Sequence, residues 1–223
     1  MGELLTVESS VKNLGFVIDS NLSMDKQINQ VCGQGYGMLR KLWKISKKLT
    51  DKKLKVQLVH SGVLSRLNYC NSLYASLPNF QVKKLQKLIN SCARFICNIQ
   101  GKRRFEHITP ELQKLHFLPM HYRIKFKICL LVYNYFNGKL PTYLKKKLSV
   151  RSISNGLKLR KDSDRLLLAT KTPEKQAFRN RGISTLAPKV WNSLPASLRS
   201  LETVSGFRTG LKTYFYKQWL SES

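Results

Sequence analysis

Between Asn79 and Ile99 the apolar residues Val82, Leu85, Leu88, Ile89, Cys92, Phe95, Ile96 and Ile99 recur every three or four positions. Lys83, Lys84, Lys87 and Arg94 fall mostly between them. That spacing follows the 3.6-residue turn of a helix and not the two-residue alternation of a strand. It predicts an amphipathic helix starting at Asn79, with a buried side and a basic side, ended by the basic turn Gly101-Lys102-Arg103-Arg104.

The same period organises the flanking segments. After Ser23, read as a cap, Ile28, Val31, Met38, Leu42 and Ile45 share one broad face, and Lys26, Arg40, Lys41, Lys44, Lys47 and Lys48 lie largely off it. Gly33, Gly35 and Gly37 weigh against a straight helix here and would instead permit a close backbone approach. Thr50 opens a second helix with the stripe Leu54, Leu58, Val59, Val63 and Leu67, ending before Pro78. Thr109-Pro110-Glu111 starts a short helix that stops near Phe117. Pro119 opens a long apolar helix from about Tyr122 to Phe136, closed by Asn137-Gly138. One or two basic turns follow from Pro141 to Leu148. Ser149 to Gly182 reads as an irregular, partly extended basic loop around Leu166, Leu167 and Leu168, with room for a short hairpin. Pro188 to Leu194 and Val204 to Leu220 predict a short and a longer helix. Ahead of all these, Val11 to Ile18 is rich in β-branched and aromatic residues and stops at the turn cluster Asp19-Ser20-Asn21, which predicts one strand. The expected fold is mainly α, with a short N-terminal strand, a helical bundle and a basic helical C-terminal extension.

Charge then narrows the function. Forty Lys and Arg against twelve Asp and Glu leave a formal net charge of +28, spread over both halves of the chain. A compact body with that excess repels itself, and a polyanion relieves the repulsion. The opposing acids that would lace the lysines into salt bridges are nearly missing, which favours a surface that tracks phosphates. Trp43, Tyr36, Tyr69, Tyr74, Tyr122 and Phe105 are available to stack bases, although aromatics at helical spacing more often fill a core. Cys32, Cys70, Cys92, Cys97 and Cys129 are an odd number without framework spacing. They read as reduced, buried small hydrophobes, consistent with a nuclear or cytoplasmic protein. The chain opens on no secretory leader, and the apolar run at Ile128 to Phe136 is too short to span a bilayer.

Catalytic constellations are sparse. Five Asp occur, at 19, 25, 51, 162 and 164, without the adjacent aspartate pair of a reverse-transcriptase centre. Asp162 and Asp164 sit in RKDSDR, where neutralising neighbouring cations is the default role. Cys92 and Cys97 with His107 and His116 offer zinc-ligand types, but on one helix the two cysteines point about 140° apart. His60, His107, His116 and His121 lack a Ser or Cys in an elbow motif. The glycines at 33, 35 and 37 lack the Lys-Ser/Thr of a phosphate-binding loop. No catalytic residue, metal site, cofactor or small-molecule substrate is expected in this chain.

Long stretches nonetheless carry a resemblance. VKNLGFVIDSNLSMDKQI resembles the segment that closes the palm of jockey-like non-LTR (LINE) retrotransposon reverse transcriptases. SRLNYCNSLYASLP with VKKLQKLINSCARFI is similar to their thumb. HITPELQKLHFLPMHYRIKFKICLLVYNYFNGKLPTYL and RGISTLAPKVWNSLPASLRSLETVSGFRTGLKTYFY are similar to their C-terminal extension. The resemblance runs in order from about Val11 to Tyr216. It implies a palm remnant over 1–22 and a thumb-like bundle over 23–100. A helical connection over 101–148, a basic loop over 149–182 and a helical extension over 183–223 would follow. It places Leu14, Gly15 and Phe16 near the primer grip. Arg40, Lys41, Lys44, Arg66, Lys83, Lys84, Lys87, Arg94, Lys102, Arg103 and Arg104 become the residues expected to hold a template–primer, either RNA or an RNA–DNA hybrid. The whole enzymes would use Mg²⁺ on aspartates that lie upstream of this segment, so the chain by itself is expected to be inactive. A domesticated nucleic-acid-binding adaptor and a basic membrane-surface protein are the competing readings. The second requires basic residues rimming an exposed apolar face.

Overall fold

The computed structural model describes residues 8–75, 77–101, 106–150, 165–167 and 182–222. The chain is mostly helical, with one two-stranded antiparallel sheet at its front. It divides into two compact units, Met1–Met120 and His121–Ser223. The basic turn at Lys102, Arg103 and Arg104, Phe105, and Asp162 with Asp164 lie outside the described residues, as does most of the 149–182 loop.

The first unit opens with a hairpin where the sequence predicts a single strand. β1 (Ser10–Asn13) pairs with β2 (Phe16–Asp19) in the register Ser10↔Asp19 and Asn13↔Phe16. The turn is Leu14 and Gly15, at φ 47° and 83°. Two consecutive left-handed residues make the tight turn whose twist suits a hairpin. Gly15 takes that conformation freely. Leu14 does so at a cost of about 1–2 kcal/mol, and its carbonyl accepts a 2.6 Å hydrogen bond from the Tyr69 hydroxyl. The strand end is tied to the first helix by Asp19, whose carboxylate accepts from Ser23 N at 2.6 Å, Ser23 Oγ at 3.0 Å and Met24 N at 2.7 Å. Ser23 is therefore part of an Asp19-centred cap; the residue preceding the helix is Met24, at φ 62°.

α1 (Asp25–Lys44) runs unbroken through all three glycines. It buries Gln27, Ile28, Val31, Gly35, Leu39 and Leu42, whereas the predicted core residue Ile45 is exposed beyond its end. Gly35 is the close approach: a Cβ there would stand 2.6 Å from Leu88 Cδ2 and 3.3 Å from Val63 Cγ1. Gly33 and Gly37 meet nothing within 4 Å. α2 (Lys52–Val59) is capped by Asp51, whose side chain accepts from Lys53 N at 2.8 Å. It passes through one π turn, His60–Leu64, into α3 (Ser65–Asn68). The inward stripe of this rod is Lys55, Val59, Val63, Leu64 and Leu67; Leu54, predicted to be buried, is exposed. The shift is one residue at the start of the rod, with Lys55 in the place expected of Leu54. After a short 3-10 turn at Asn71–Tyr74, α4 (Asn79–Ile96) buries Leu85, Leu88, Ile89, Cys92, Phe95 and Ile96 as its period predicts. Each of the leucines, isoleucines and the phenylalanine is worth about 1.5–3 kcal/mol of apolar transfer when the side chain is fully buried. The helix ends at Cys97 and not at Gly101: Asn98 is left-handed at φ 53°, and Ile99 N bonds back to Arg94 O at 2.9 Å. α5 (Thr109–Lys114) ends the same way on His116, with Phe117 N reaching Leu112 O.

The second unit is organised by rings. It contains α6 (Met120–Phe136), which begins at the last residue of the first unit, α7 (Thr142–Lys145), α8 (Ile183–Asn192), α9 (Ala196–Arg199) and α10 (Val204–Glu222). Tyr133 stacks on Phe207 at 4.3 Å, and Trp191 packs 5.5 Å from Phe136 and 5.7 Å from Phe207. Buried ring hydroxyls have partners: Tyr122 donates to Glu222 at 2.7 Å and Tyr133 to the Glu202 carbonyl at 2.6 Å. Leu167 is held by two bonds to the Asn192 amide and bridges Val150. Gly138, at φ 72°, closes α6 where the sequence predicts it.

Candidate nucleic-acid interface

α1 and α4 lie side by side and run in the same direction. Cys32 feels the charge of Lys84, Gly35 faces Leu88, the Tyr36 hydroxyl meets the Ser91 side chain, and Trp43 meets Phe95 edge-on at 5.1 Å. Burial pushes the Cys32 thiol up from its ordinary value, and Lys84 pulls it partway back. Burial likewise raises the Tyr36 phenol. Two surface stripes follow from this packing. Cys32, Tyr36 and Arg40 are spaced four apart along α1, and Phe80, Lys84, Lys87 and Ser91 are spaced three or four apart along α4.

This face is basic and carries open rings. Arg40, Lys83, Lys84 and Lys87 are exposed, with Tyr36 at 40% and Phe80 at 57%. Lys84 Nζ lies 5.9 Å from the Phe80 ring centre. Among the described residues no carboxylate pairs with Lys83, Lys84 or Lys87; the Lys114–Glu111 ion pair lies away from this face. A row of unneutralised ammonium groups on one side of a helix pair fits phosphates, which attract them from any sequence.

The other predicted residues do not all join this face. Arg66 donates to Gln34 Oε1 at 2.9 Å, on the opposite flank of α1, where Lys41 lies seven residues on from Gln34. Lys44 is exposed in the last turn of α1. Arg94 is half-buried, with Nη2 directed at the Glu106 carbonyl at 3.5 Å, so it is a poor phosphate ligand. Leu14, Gly15 and Phe16 do not act as one strand. Leu14 is 87% exposed at the hairpin tip, while Phe16 is buried 5.9 Å from the Tyr74 ring. Tyr74 and Tyr122 are core, Tyr69 is exposed and Trp43 is half-buried. Of the cysteines, all free, Cys92 and Cys129 are buried, Cys32 and Cys97 half-buried, and Cys70 exposed, which corrects the expectation that all five are core. Cys70 sits at a left-handed turn, φ 49°.

The pairing of α2 with the ends of α4 and α5 could not be read from the sequence, which offers Cys97 only as a core or zinc-ligand residue and Glu111 only as part of a helix start. Lys55 is 2% exposed and donates to Asn98 Oδ1 at 2.5 Å, and Cys97 Sγ donates to Glu111 at 3.3 Å. Glu111 is held below the usual carboxylate range first by the Lys114 ammonium and then by the Cys97 thiol.

Among the described residues no group of three His, Cys, Asp or Glu side chains stands together to hold a metal ion. Among them, too, no helix is long and apolar enough to cross a membrane. No family model, curated protein or solved structure matches the chain.

Proposed function

We propose that this chain is the C-terminal portion of a non-LTR retrotransposon reverse transcriptase that holds template–primer nucleic acid without performing chemistry itself. Its chief support beyond the motifs is the outer face of α4, where Lys83, Lys84 and Lys87 stand exposed on the side away from the buried Leu85 and Cys92, without carboxylate partners among the described residues. Flexible lysines in a row suit backbone phosphates, which position a duplex without reading its sequence. The expected target is therefore an RNA–DNA hybrid recognised by shape and backbone, with little sequence preference. Arg40, Tyr36 and Phe80 extend the same surface onto the neighbouring helix and beside the lysines.

Three assays on the pure protein test this. Gel shift on an RNA–DNA hybrid should give a complex weakened by salt, while flotation with anionic liposomes should leave the protein behind. Primer extension on the same hybrid with Mg²⁺ or Mn²⁺ should stay at background. Preferential flotation would favour a membrane-surface protein, and template-dependent extension would contradict the inactive-portion reading.

A further inference from the structure

A cleft of about 250 Å³ opens where the first turn of α2, the end of α4 and the start of α5 meet, all within the first unit. It is lined by Thr50, Lys52, Lys55, Cys97, Asn98 and Glu111, among others. Lys55 carries an ammonium that the core does not neutralise. It is 2% exposed, its Nζ donates to the neutral Asn98 amide oxygen at 2.5 Å, and it lies 5.6 Å from the centre of the Phe95 ring. An ammonium has three N–H donors, and a buried cation ordinarily meets an opposite charge. Among the described residues no carboxylate pairs with Lys55.

The one acid of the lining is already matched. Glu111 is bonded to Lys114 at 2.8 Å and accepts from the Cys97 thiol at 3.3 Å. Lys52 and Lys55 therefore set the charge of the cleft, with the Thr50 hydroxyl beside them. We infer that the cleft binds a phosphate monoester, either the terminal phosphate of a nucleic-acid strand or that of a free nucleotide.

The monoester fits better than a backbone diester for two reasons. Its terminal oxygens carry up to two charges, which matches two lysines. It also offers three oxygens to the unused N–H groups and the hydroxyl. The volume is about eight times the ~30 Å³ share of one water, more than a bare phosphate needs. The space left over accommodates an attached sugar, whose hydroxyls would find acceptors in Glu111 and Asn98. These two acceptors oppose a bare anion but suit a ligand with an anionic end and a hydroxylated end.

The test uses the full chain at constant ionic strength. AMP is titrated in one arm. In the other, two short oligonucleotides that differ only in carrying a 5′-phosphate or a 5′-hydroxyl are compared. Saturable AMP binding would assign the cleft to free nucleotides, and a preference for the 5′-phosphate would assign it to a strand end. Lys55→Met should weaken whichever is seen by about ten- to hundredfold, the worth of one charged hydrogen bond. Its thermal midpoint should hold or rise, because an apolar side chain of similar length replaces an unpaired buried charge. If Lys55→Met fails to fold, Lys52→Gln at an exposed position should show a smaller loss with the midpoint unchanged. The inference is overturned if the wild-type protein shows neither behaviour, or if the folded variants bind as it does. The AMP arm is independent of strand holding, so failure of the proposed function would leave it readable.

Discussion

On the outer face of α4, Lys83, Lys84 and Lys87 stand in solvent without a carboxylate; in the cleft below, Lys55 of α2 is sunk between an aromatic ring and an amide oxygen. The residue type is the same and the environments are opposite. In water an ammonium keeps its hydration, so the outer lysines cost the fold little and contribute little to it. Their consequence is for binding, because each can replace a counterion on a phosphate. Out of water the ammonium must be compensated inside the protein, so Lys55 bears on stability and affinity together. Position relative to the apolar stripe, and not charge alone, decides which kind of effect a lysine has.

The comparison breaks most visibly if α4 is not two-faced. Leu85→Ala, on the fully buried side, should lower stability by about 2–5 kcal/mol, read from the denaturant midpoint. An unchanged midpoint would mean that the helix phase, and with it the lysine face, is misplaced.

Asp19 supplies the next largest effect, in a part of the unit where charge is compensated by hydrogen bonds. Burial raises its carboxyl, but bonds from Ser23 and Met24 outweigh that and hold it below the ordinary value. A lowered native pKa stabilises the fold above the ordinary carboxylate pKa, and the contribution is lost as pH falls through the lowered one. Asp19→Asn should cost roughly 0.5–2 kcal/mol at neutral pH, as the removal of a helix cap does, and should flatten the acid limb of a stability–pH curve. An acid limb as steep as in wild type would exclude Asp19 as its source.

Glycines sharpen the contrast between facing and open sides of α1. Gly35→Ala forces a methyl group against Leu88 and Val63, and should cost about 1 kcal/mol net of the helix propensity it gains. Gly33→Ala and Gly37→Ala enter open space and should each add roughly 0.5–1 kcal/mol. Three thermal melts decide it, and destabilisation at 33 or 37 would reveal a hidden neighbour.

Sequence alone revealed most of α4 and the stripe on which its lysines lie, because one helix with a continuous apolar period determines its own phase. It missed what depends on partners distant in the chain. Leu14-Gly15 does not look like a hairpin turn, since leucine is a poor left-handed residue; the Tyr69 hydroxyl, 55 residues on, holds its carbonyl. Lys55 reads as a solvent-facing lysine until Asn98, 43 residues away, closes over it. Arg94 reads as surface until Glu106 folds back toward it. Helix ends show the same divide. Gly138 was legible as a stop because glycine adopts positive φ freely, whereas Asn98 and His116 do the same job with residues that give a weaker signal.

The smallest expected change in stability belongs to the outer lysines, and with it the most direct test. Replacing Lys83, Lys84 and Lys87 together by Gln should leave the thermal midpoint within about 0.5 kcal/mol of wild type. Affinity for an RNA–DNA hybrid should fall by a similar factor whatever the sequence. In a salt titration of both proteins, the slope of log affinity against log salt should flatten by roughly 0.7–0.9 for each phosphate that is no longer neutralised. An unchanged slope with unchanged affinity would show that these lysines are a solvated face, and would contradict the central claim that α4 holds the nucleic-acid backbone.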